Sequence, residues 1–169
     1  PHCFNAIRNE YPRLGGNYEV VHHSQLIAEL IAAGRLTVDA ASAPAQRKAT
    51  YHDPCYLGRY NNVFDEPRDA IDALPGTDRT EMPRNRRQSF CCGGGGGRAM
   101  MKEASGTRIN QERVREALDT GAGVIATACP FCTGMLEDGI AGANAGARLR
   151  VLDLAELVAG SLQTPPPRT

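Results

Sequence analysis

Residues 123–132 read GVIATACPFC, a short apolar segment that ends in a Cys-Pro-Phe-Cys motif. The apolar run predicts a buried strand over residues 123–128, and the helical pattern of residues 105–120 ahead of it stops at Gly121. Cys129 therefore follows directly from the C-terminal end of a strand. Because open parallel sheets place their binding sites at that end of their strands, the segment indicates both an α/β fold and the position of its site.

The same alternation of strand and helix continues towards the N-terminus. It predicts one α/β domain with a mainly parallel sheet, flanking helices and binding loops at strand C-termini. Pro75-Gly76 ends one helix and Gly34 another, for which Ser24 is the expected N-cap. The predicted strands are residues 19–23, 48–52, 79–83 and 123–128, and the predicted helices are residues 24–33, 66–74 and 105–120.

Five cysteines are spaced so that three loops can bring them together. Cys55 is followed by 35 residues, then by the pair Cys91-Cys92, then by 36 residues, and then by Cys129 and Cys132. Side chains at adjacent positions of an extended chain diverge, so the pair suits two irons of a cluster better than one small ion. Soft thiolate ligands in this arrangement predict an iron-sulfur cluster.

Other uses of these cysteines remain open at the level of sequence. A structural zinc site usually has two CxxC-like pairs or one CxxC with paired histidines, and this chain has a single CxxC. A disulfide framework is typical of short secreted domains, whereas 169 residues with ordinary apolar content can bury a core without one. Free buried thiols are common one at a time, but they do not account for the whole set.

Residues around the cysteines are suited to an anionic cluster. A glycine run follows Cys91-Cys92 and leads into a helical pattern, so that backbone N–H groups face the thiolates. Basic side chains offset negative charge, and a histidine just before Cys55 can hydrogen-bond a thiolate and tune the cluster. The residues expected in these roles are Gly93, Gly94, Gly95, Arg98 and His52, with Lys102 and Arg59 as further basic residues.

Three motifs carry a family resemblance. YHDPCYLGR, SFCCGGGGGR and ATACPFC resemble the cysteine-rich CCG domain found in heterodisulfide reductase and in the iron-sulfur subunits of glycolate, lactate and glycerol-3-phosphate oxidoreductases. The resemblance implies a Rossmann-like sheet whose loops hold a cluster, which in the best-understood members is a non-cubane 4Fe-4S cluster. The ligands that it implies are Cys55, Cys91, Cys92, Cys129 and Cys132.

Two longer stretches of the sequence resemble one particular group within this family. PHCFNAIRNEYPRLGGNYEVVHH and ATACPFCTGMLEDG are similar to membrane-bound iron-sulfur oxidoreductases that take electrons from electron transfer flavoprotein in fatty-acid β-oxidation and pass them to quinone. This resemblance implies that the chain is a soluble electron-transfer module of a larger oxidoreductase and has no catalytic activity by itself. It also implies a position on the cytoplasmic face of a membrane. Three alternatives remain: cleavage of a small disulfide, a component of glycolate or lactate dehydrogenase, and a zinc-stabilised domain without redox chemistry.

An internal likeness predicts how the chain is divided. Residues 1–5, PHCFN, mirror residues 130–134, PFCTG, and residues 19–27 resemble residues 150–158 after a two-residue slip. We therefore expect residues 1–34 to end a preceding CCG repeat, residues 35–163 to form a complete CCG domain, and residues 164–169 to be a disordered tail. Cys3 would then bind a second cluster that residues outside this chain complete.

Composition excludes several classes of partner. Nineteen basic and nineteen acidic residues leave no net charge, which gives no support for nucleic-acid binding or for a polybasic membrane surface. No apolar run approaches the length of a membrane span, and no GxGxxG motif indicates a nucleotide. We expect His22 and His23 to be packed strand-end residues, with contact to a cluster, quinone or haem as the alternative.

Overall fold

A four-stranded parallel sheet is the centre of the computed structural model, which describes residues 1–40, 47–101 and 106–162. Its strands, in the order β2-β1-β3-β4, are β1 (Arg47–Tyr51), β2 (Thr77–Thr80), β3 (Val124–Thr127) and β4 (Arg150–Asp153). The helices are α1 (His2–Asn9), α2 (His23–Ala32), α3 (Gly58–Asn61), α4 (Glu66–Asp72), α5 (Ile109–Asp119), α6 (Pro130–Gly142) and α7 (Leu154–Ala159). The α/β, Rossmann-like fold expected from the sequence is confirmed.

Strand order places a crevice between β1 and β3. From β1 the chain crosses to β2 on one side of the sheet, and it then returns to β3 on the other side of β1. Connections that leave two neighbouring strands in opposite directions open a crevice at their C-terminal ends, where α/β proteins bind ligands. The loops after β1 and β3, which carry Cys55 and Cys129, are the ones that border it.

Helices cover both faces of the sheet, which explains why all four residues of β3 are buried. On one face α1, α2, α4 and α7 enclose a core around Tyr51, Ile71 and Leu157. On the other face α5 and α6 pack against Ile125 and Val151. The apolar run of residues 123–128 is therefore buried because neither face of its strand meets water.

The structure corrects the sequence-based prediction near residue 22. Residues 19–22 are not a strand, and Val20 and Val21 pair with no strand in the part of the chain that the structure describes. His22, not Ser24, is the N-cap of α2: its Nδ1 accepts from the Ser24 N–H at 3.3 Å, while the Gln25 side chain accepts from the His22 N–H at 3.2 Å. This capping box satisfies two helix-end N–H groups, which a strand ending at His23 would leave unpaired.

Element boundaries differ from the predicted ones by a few residues elsewhere. Strand β2 begins at Thr77 and ends at Thr80, and helix α5 begins at Ile109. Gly34, the predicted stop of the second helix, has a φ of +66°, a backbone conformation that favours glycine. The predicted tail, residues 164–169, and Lys102 lie outside the described residues.

Candidate metal centre

All five cysteines predicted as ligands line one cavity at the crevice between β1 and β3. The cavity has a volume of about 240 Å³, and its lining includes Cys55, Cys91, Cys92, Cys129 and Cys132. All six cysteines of the chain are free thiols. The loops therefore bring five unpaired sulfur ligands to one point, as the spacing predicts.

The sulfur atoms differ in their exposure. Cys92, Cys129 and Cys132 are buried and pack together, with Met135 against them. Cys55 and Cys91 are half-buried, and burial raises the pKa of Cys55 above its usual value. Three sulfurs thus form the floor of the cavity, and two stand closer to solvent.

Helix α6 presents its N-terminus to the cavity through the CxxC motif. Cys129 is the N-cap, Pro130 occupies the first turn, and Cys132 follows one turn later. Hydrogen bonding from Cys132, with further bonds from the backbone N–H groups of Cys132 and Phe131, lowers the pKa of Cys129 to about 7. A helix N-terminus favours negative charge, so this end of α6 stabilises the thiolate form of Cys129.

Hydrogen bonding within the thiol cluster favours the thiolate form of Cys92. Hydrogen bonds with Cys132, Cys91 and His52 hold the pKa of Cys92 far below its usual value. The bond with Cys92 raises the pKa of Cys91, and the bond with Cys129, followed by that with Cys92, raises the pKa of Cys132. Five thiolates so close together repel one another, and only a cationic centre allows all of them to ionise.

The glycine loop approaches the sulfurs closely at its first two positions. The Gly93 N–H donates to Cys91 Sγ at 3.2 Å, with a Gly93 φ of +92°. A Cβ on Gly94 would lie 3.1 Å from the Met135 side chain, whereas a Cβ on Gly95 would meet nothing within 4 Å. Gly95 contributes a backbone hydrogen bond to Cys91 instead. Gly93 is thus favoured by its backbone conformation and Gly94 by the close approach of Met135, and Gly95 supplies a donor.

His52 reaches the cavity floor, whereas Arg98 points elsewhere. His52 is buried directly after β1 and hydrogen-bonds Cys92, and burial lowers its pKa below the usual value. Arg98 is exposed and lines a different recess, next to Gly93, Arg108 and Met135. Gly96, which still lines the cysteine cavity, and Gly97 have φ values of +63° and +77°.

A buried ion pair that sequence reasoning missed joins two of the ligand loops. Asp53, two positions before Cys55, accepts from Arg68 at 2.7 and 2.9 Å, and its Oδ2 also accepts from the Arg86 N–H at 2.8 Å. Its carbonyl oxygen accepts from Ser89 Oγ at 3.3 Å, close to the Cys91-Cys92 pair. The position of Asp53 within YHDPC is the signal that points to this role.

Arg113 is a second residue next to the site that the sequence did not indicate. It is fully buried on α5, and its Nε donates to His52 Nδ1 at 3.0 Å. On helix α5 the buried positions Asn110, Arg113, Val114 and Ala117 share one face. A charged residue on the apolar face of a helix is the available sequence signal for a buried polar contact.

The N-terminal residues close one side of the cavity. Pro1 and His2 belong to its lining, and the His2 ring lies 4.5 Å from that of Tyr56 and 5.0 Å from that of Phe131, centroid to centroid. Cys3 is exposed on α1. His22 and His23 pack against each other at 4.2 Å, at the start of α2.

Comparisons with known proteins agree with this picture. The model of a family described as CCG, cysteine-rich domain, matches residues 49–137, a range that contains all five cysteines of the cavity. The chain is 43% identical over 162 residues to "Probable iron-sulfur-binding oxidoreductase FadF" of Bacillus subtilis, covering 96% of this chain and 23% of that protein.

Two further relatives are redox proteins. "EtfAB:quinone oxidoreductase" of Syntrophomonas wolfei is 41% identical over 165 residues, covering 94% of this chain and 22% of that protein. A component of the "Dihydromethanophenazine:CoB--CoM heterodisulfide reductase" of Methanosarcina barkeri is 37% identical over 164 residues, covering 95% of this chain and 39% of that protein. The chain therefore spans well under half the length of these relatives. Among the described residues, every helix is too short or too polar to cross a bilayer.

Proposed function

The chain belongs to the CCG cysteine-rich domain family, and on that premise we propose that it is an electron-transfer module holding one iron-sulfur cluster. The observation that carries the proposal is the convergence of five free thiols on a single cavity. The proposed ligands are Cys55, Cys91, Cys92, Cys129 and Cys132.

The donor set fits an iron-sulfur cluster in its chemistry. Sulfur ligands select soft or borderline metals, and when bound a cluster of this kind supplies one-electron transfer. Five sulfurs exceed the four that a regular cubane needs, which supports a non-cubane 4Fe-4S cluster. Backbone N–H groups of Gly93 and Gly95 stabilise thiolate charge at Cys91, and those of α6 do the same at Cys129. His52 and Cys92 add a side-chain hydrogen bond at the cavity floor.

We propose that the electrons come from electron transfer flavoprotein and leave towards a membrane quinone. The support is the likeness to an EtfAB:quinone oxidoreductase across 94% of this chain. In this proposal the domain works on the cytoplasmic face of a membrane as part of a longer protein, since the chain spans 22% of that relative.

The division into repeats is part of the same proposal. Residues 1–34 would end a preceding CCG repeat and residues 35–163 would form the complete one, within which the family match falls. His22 and Asp153 occupy equivalent positions in the internal likeness, and both are N-caps of helices with a capping box. Cys3 would then serve a second cluster completed outside this chain.

Cleavage of a small disulfide is the second candidate function. It is favoured by the 37% identity to a component of a heterodisulfide reductase. The cavity also has an aromatic side, at which Phe131 is 62% exposed and Tyr56 stacks on Tyr60. A disulfide could approach the site along these rings.

Anaerobic reconstitution followed by iron, sulfide and zinc analysis tests the proposal. We expect about four irons per chain, a broad charge-transfer absorption and an EPR signal after reduction. Uptake of one zinc with no iron would reject the cluster in favour of a zinc-stabilised domain.

The source of the electrons is tested in the parent protein. Membranes that carry the wild type should oxidise reduced electron transfer flavoprotein, and those that carry Cys91→Ser should not. Equal rates would reject the relay, whereas turnover of a small disulfide by the wild type alone would support the second candidate.

A further inference from the structure

Three side chains form a hydrogen-bonded series that runs from helix α5 to the cysteine cavity. Arg113 Nε donates to His52 Nδ1 at 3.0 Å, and a ring nitrogen of His52 lies within 4.8 Å of the Cys92 sulfur, with which it interacts. Arg113 and His52 have 0% and 1% of their surface exposed, so water does not compete for these bonds. His52 and Arg113 are separated by 61 positions in the sequence.

Arg113 is held in place by acceptors on its other side. Its Nη1 donates to the Arg84 carbonyl oxygen at 2.8 Å and to Glu116 Oε2 at 2.6 Å. Because a guanidinium has donors and no acceptor, its Nε can approach His52 Nδ1 only if that nitrogen carries no proton. The proton of the imidazole must therefore be on Nε2.

We propose that Arg113 is a positioning residue that fixes His52 in the Nε2–H tautomer, which makes His52 a donor to Cys92 and excludes it from the metal ligands. A neutral histidine binds a metal through its unprotonated nitrogen and usually donates the other N–H to an acceptor. Here the unprotonated nitrogen is occupied by a donor. His52, Cys92 and Cys132 lie close enough to share an ion, with their ligand atoms within 4.8 Å of one another, yet His52 has no free lone pair to contribute.

A donor on Cys92 also affects the proposed redox chemistry. Hydrogen bonds to cluster sulfurs stabilise the more negative, reduced state and so raise the reduction potential. This part of the inference rests on the proposed function, whereas the tautomer does not.

The tautomer is measured on the reduced, metal-free chain by side-chain ¹⁵N NMR of its four histidines, with His52→Gln used for assignment. We expect a pyridine-like Nδ1 and a pyrrole-like Nε2 for His52, and we expect both signals to persist when Zn²⁺ is added. A protonated Nδ1, or a shift of His52 Nε2 to a zinc-bound value, would overturn the proposal.

Two variants test whether Arg113 itself, and not a neighbouring residue, fixes the tautomer of His52. Arg113→Met should let His52 exchange between tautomers, whereas Arg84→Met should not. The Arg84 side chain also pairs with Glu116, but the Arg84 contact to Arg113 is made through its backbone carbonyl. If Arg113→Met does not fold, the wild-type spectra still decide the tautomer of His52 and its exclusion from the metal ligands.

The effect on redox chemistry is measured as the midpoint potential of the reconstituted chain, in a redox titration monitored by EPR. At a fixed potential, Arg113→Met and His52→Leu should each lower the ratio of reduced to oxidised cluster roughly tenfold, equivalent to about 59 mV for a one-electron couple. The midpoint potential of the double variant, Arg113→Met with His52→Leu, should shift no further than that of either single variant.

A shift in His52→Leu but none in Arg113→Met would overturn the positioning role. Failure to take up any iron would reject the proposed function, and the ¹⁵N spectra would still decide the tautomer.

Discussion

Replacing Arg68 by methionine tests how the ligand loops are held. The Arg68 side chain is 2% exposed and binds both oxygens of Asp53, which is equally buried. It also donates to Glu81 at 2.7 and 3.0 Å and to the Phe64 carbonyl oxygen at 2.7 Å. Methionine has a similar apolar stem but no donor, so it leaves the Asp53 carboxylate in the interior without its cation.

The expected loss of stability follows from the unpaired Asp53 carboxylate. Removing one partner of a buried ion pair typically destabilises a protein by about 3–5 kcal/mol. The Arg86 N–H still donates to Asp53 Oδ2 at 2.8 Å, which favours the lower end of this range. For a domain of this size the loss corresponds to roughly 10 °C in Tm. The loop of Cys55 should loosen as well, because Asp53 lies two positions before it.

Urea denaturation of the metal-free protein measures the effect. Arg79→Met is the matched control, because its partners Asp72 and Glu81 are partly exposed to water, so that no fully buried charge is stranded and each pair should be worth about 1 kcal/mol or less. In the double variant Arg68→Met with Asp53→Asn, no buried charge is stranded, so much of the stability should return. A cost for Arg68→Met no larger than that for Arg79→Met, or a double variant equal to the sum of the single ones, would refute the reasoning.

Three further predictions concern the ligands, the glycine loop and pH. Cys55→Ser should reduce the amount of iron bound after reconstitution. Cys3 is exposed, and Cys3→Ser should leave the bound iron unchanged. If Cys3→Ser removes the iron and Cys55→Ser does not, the proposed repeat boundary is wrong. Gly93→Ala should cost roughly 1–2 kcal/mol in urea denaturation because Gly93 has a φ of +92°, whereas Gly95→Ala, with open space around it, should cost less. Burial, with His23 next in effect, lowers the pKa of His22 from 6.5 to about 3, so the unfolded chain takes up a proton first as the pH falls. The free energy of unfolding should therefore drop by about 2 kcal/mol between pH 7 and pH 5. His22→Asn keeps a capping oxygen and should flatten that slope, and an unchanged slope would contradict the assignment.

The cysteine spacing by itself predicted that five thiols from three loops meet at one point, and they line one cavity. Cys55 and Cys129 follow strands that are adjacent and parallel, and loops at the same end of such strands converge through topology alone. The apolar run of residues 123–128 likewise predicted a strand with both faces covered. These inferences succeeded because they depend on local pattern and on the order of elements along the chain.

Contacts between distant positions were decided only by the tertiary structure. The sequence does not show which group Arg113 contacts, and its bond to His52 exists because α5 packs next to the end of β1. Arg98 was expected near the thiolates, but its exposed side chain lines another recess, beside Gly93 and Met135.

The N-cap of α2 was decided in the same way. Ser24 has the residue type that predicts a cap, but the chain enters the helix so that His22 is buried and its ring faces the free N–H groups. Residue type determines which groups are able to donate or accept. Packing determines which of them are brought within about 3 Å of a partner, and at that distance hydrogen bonds form.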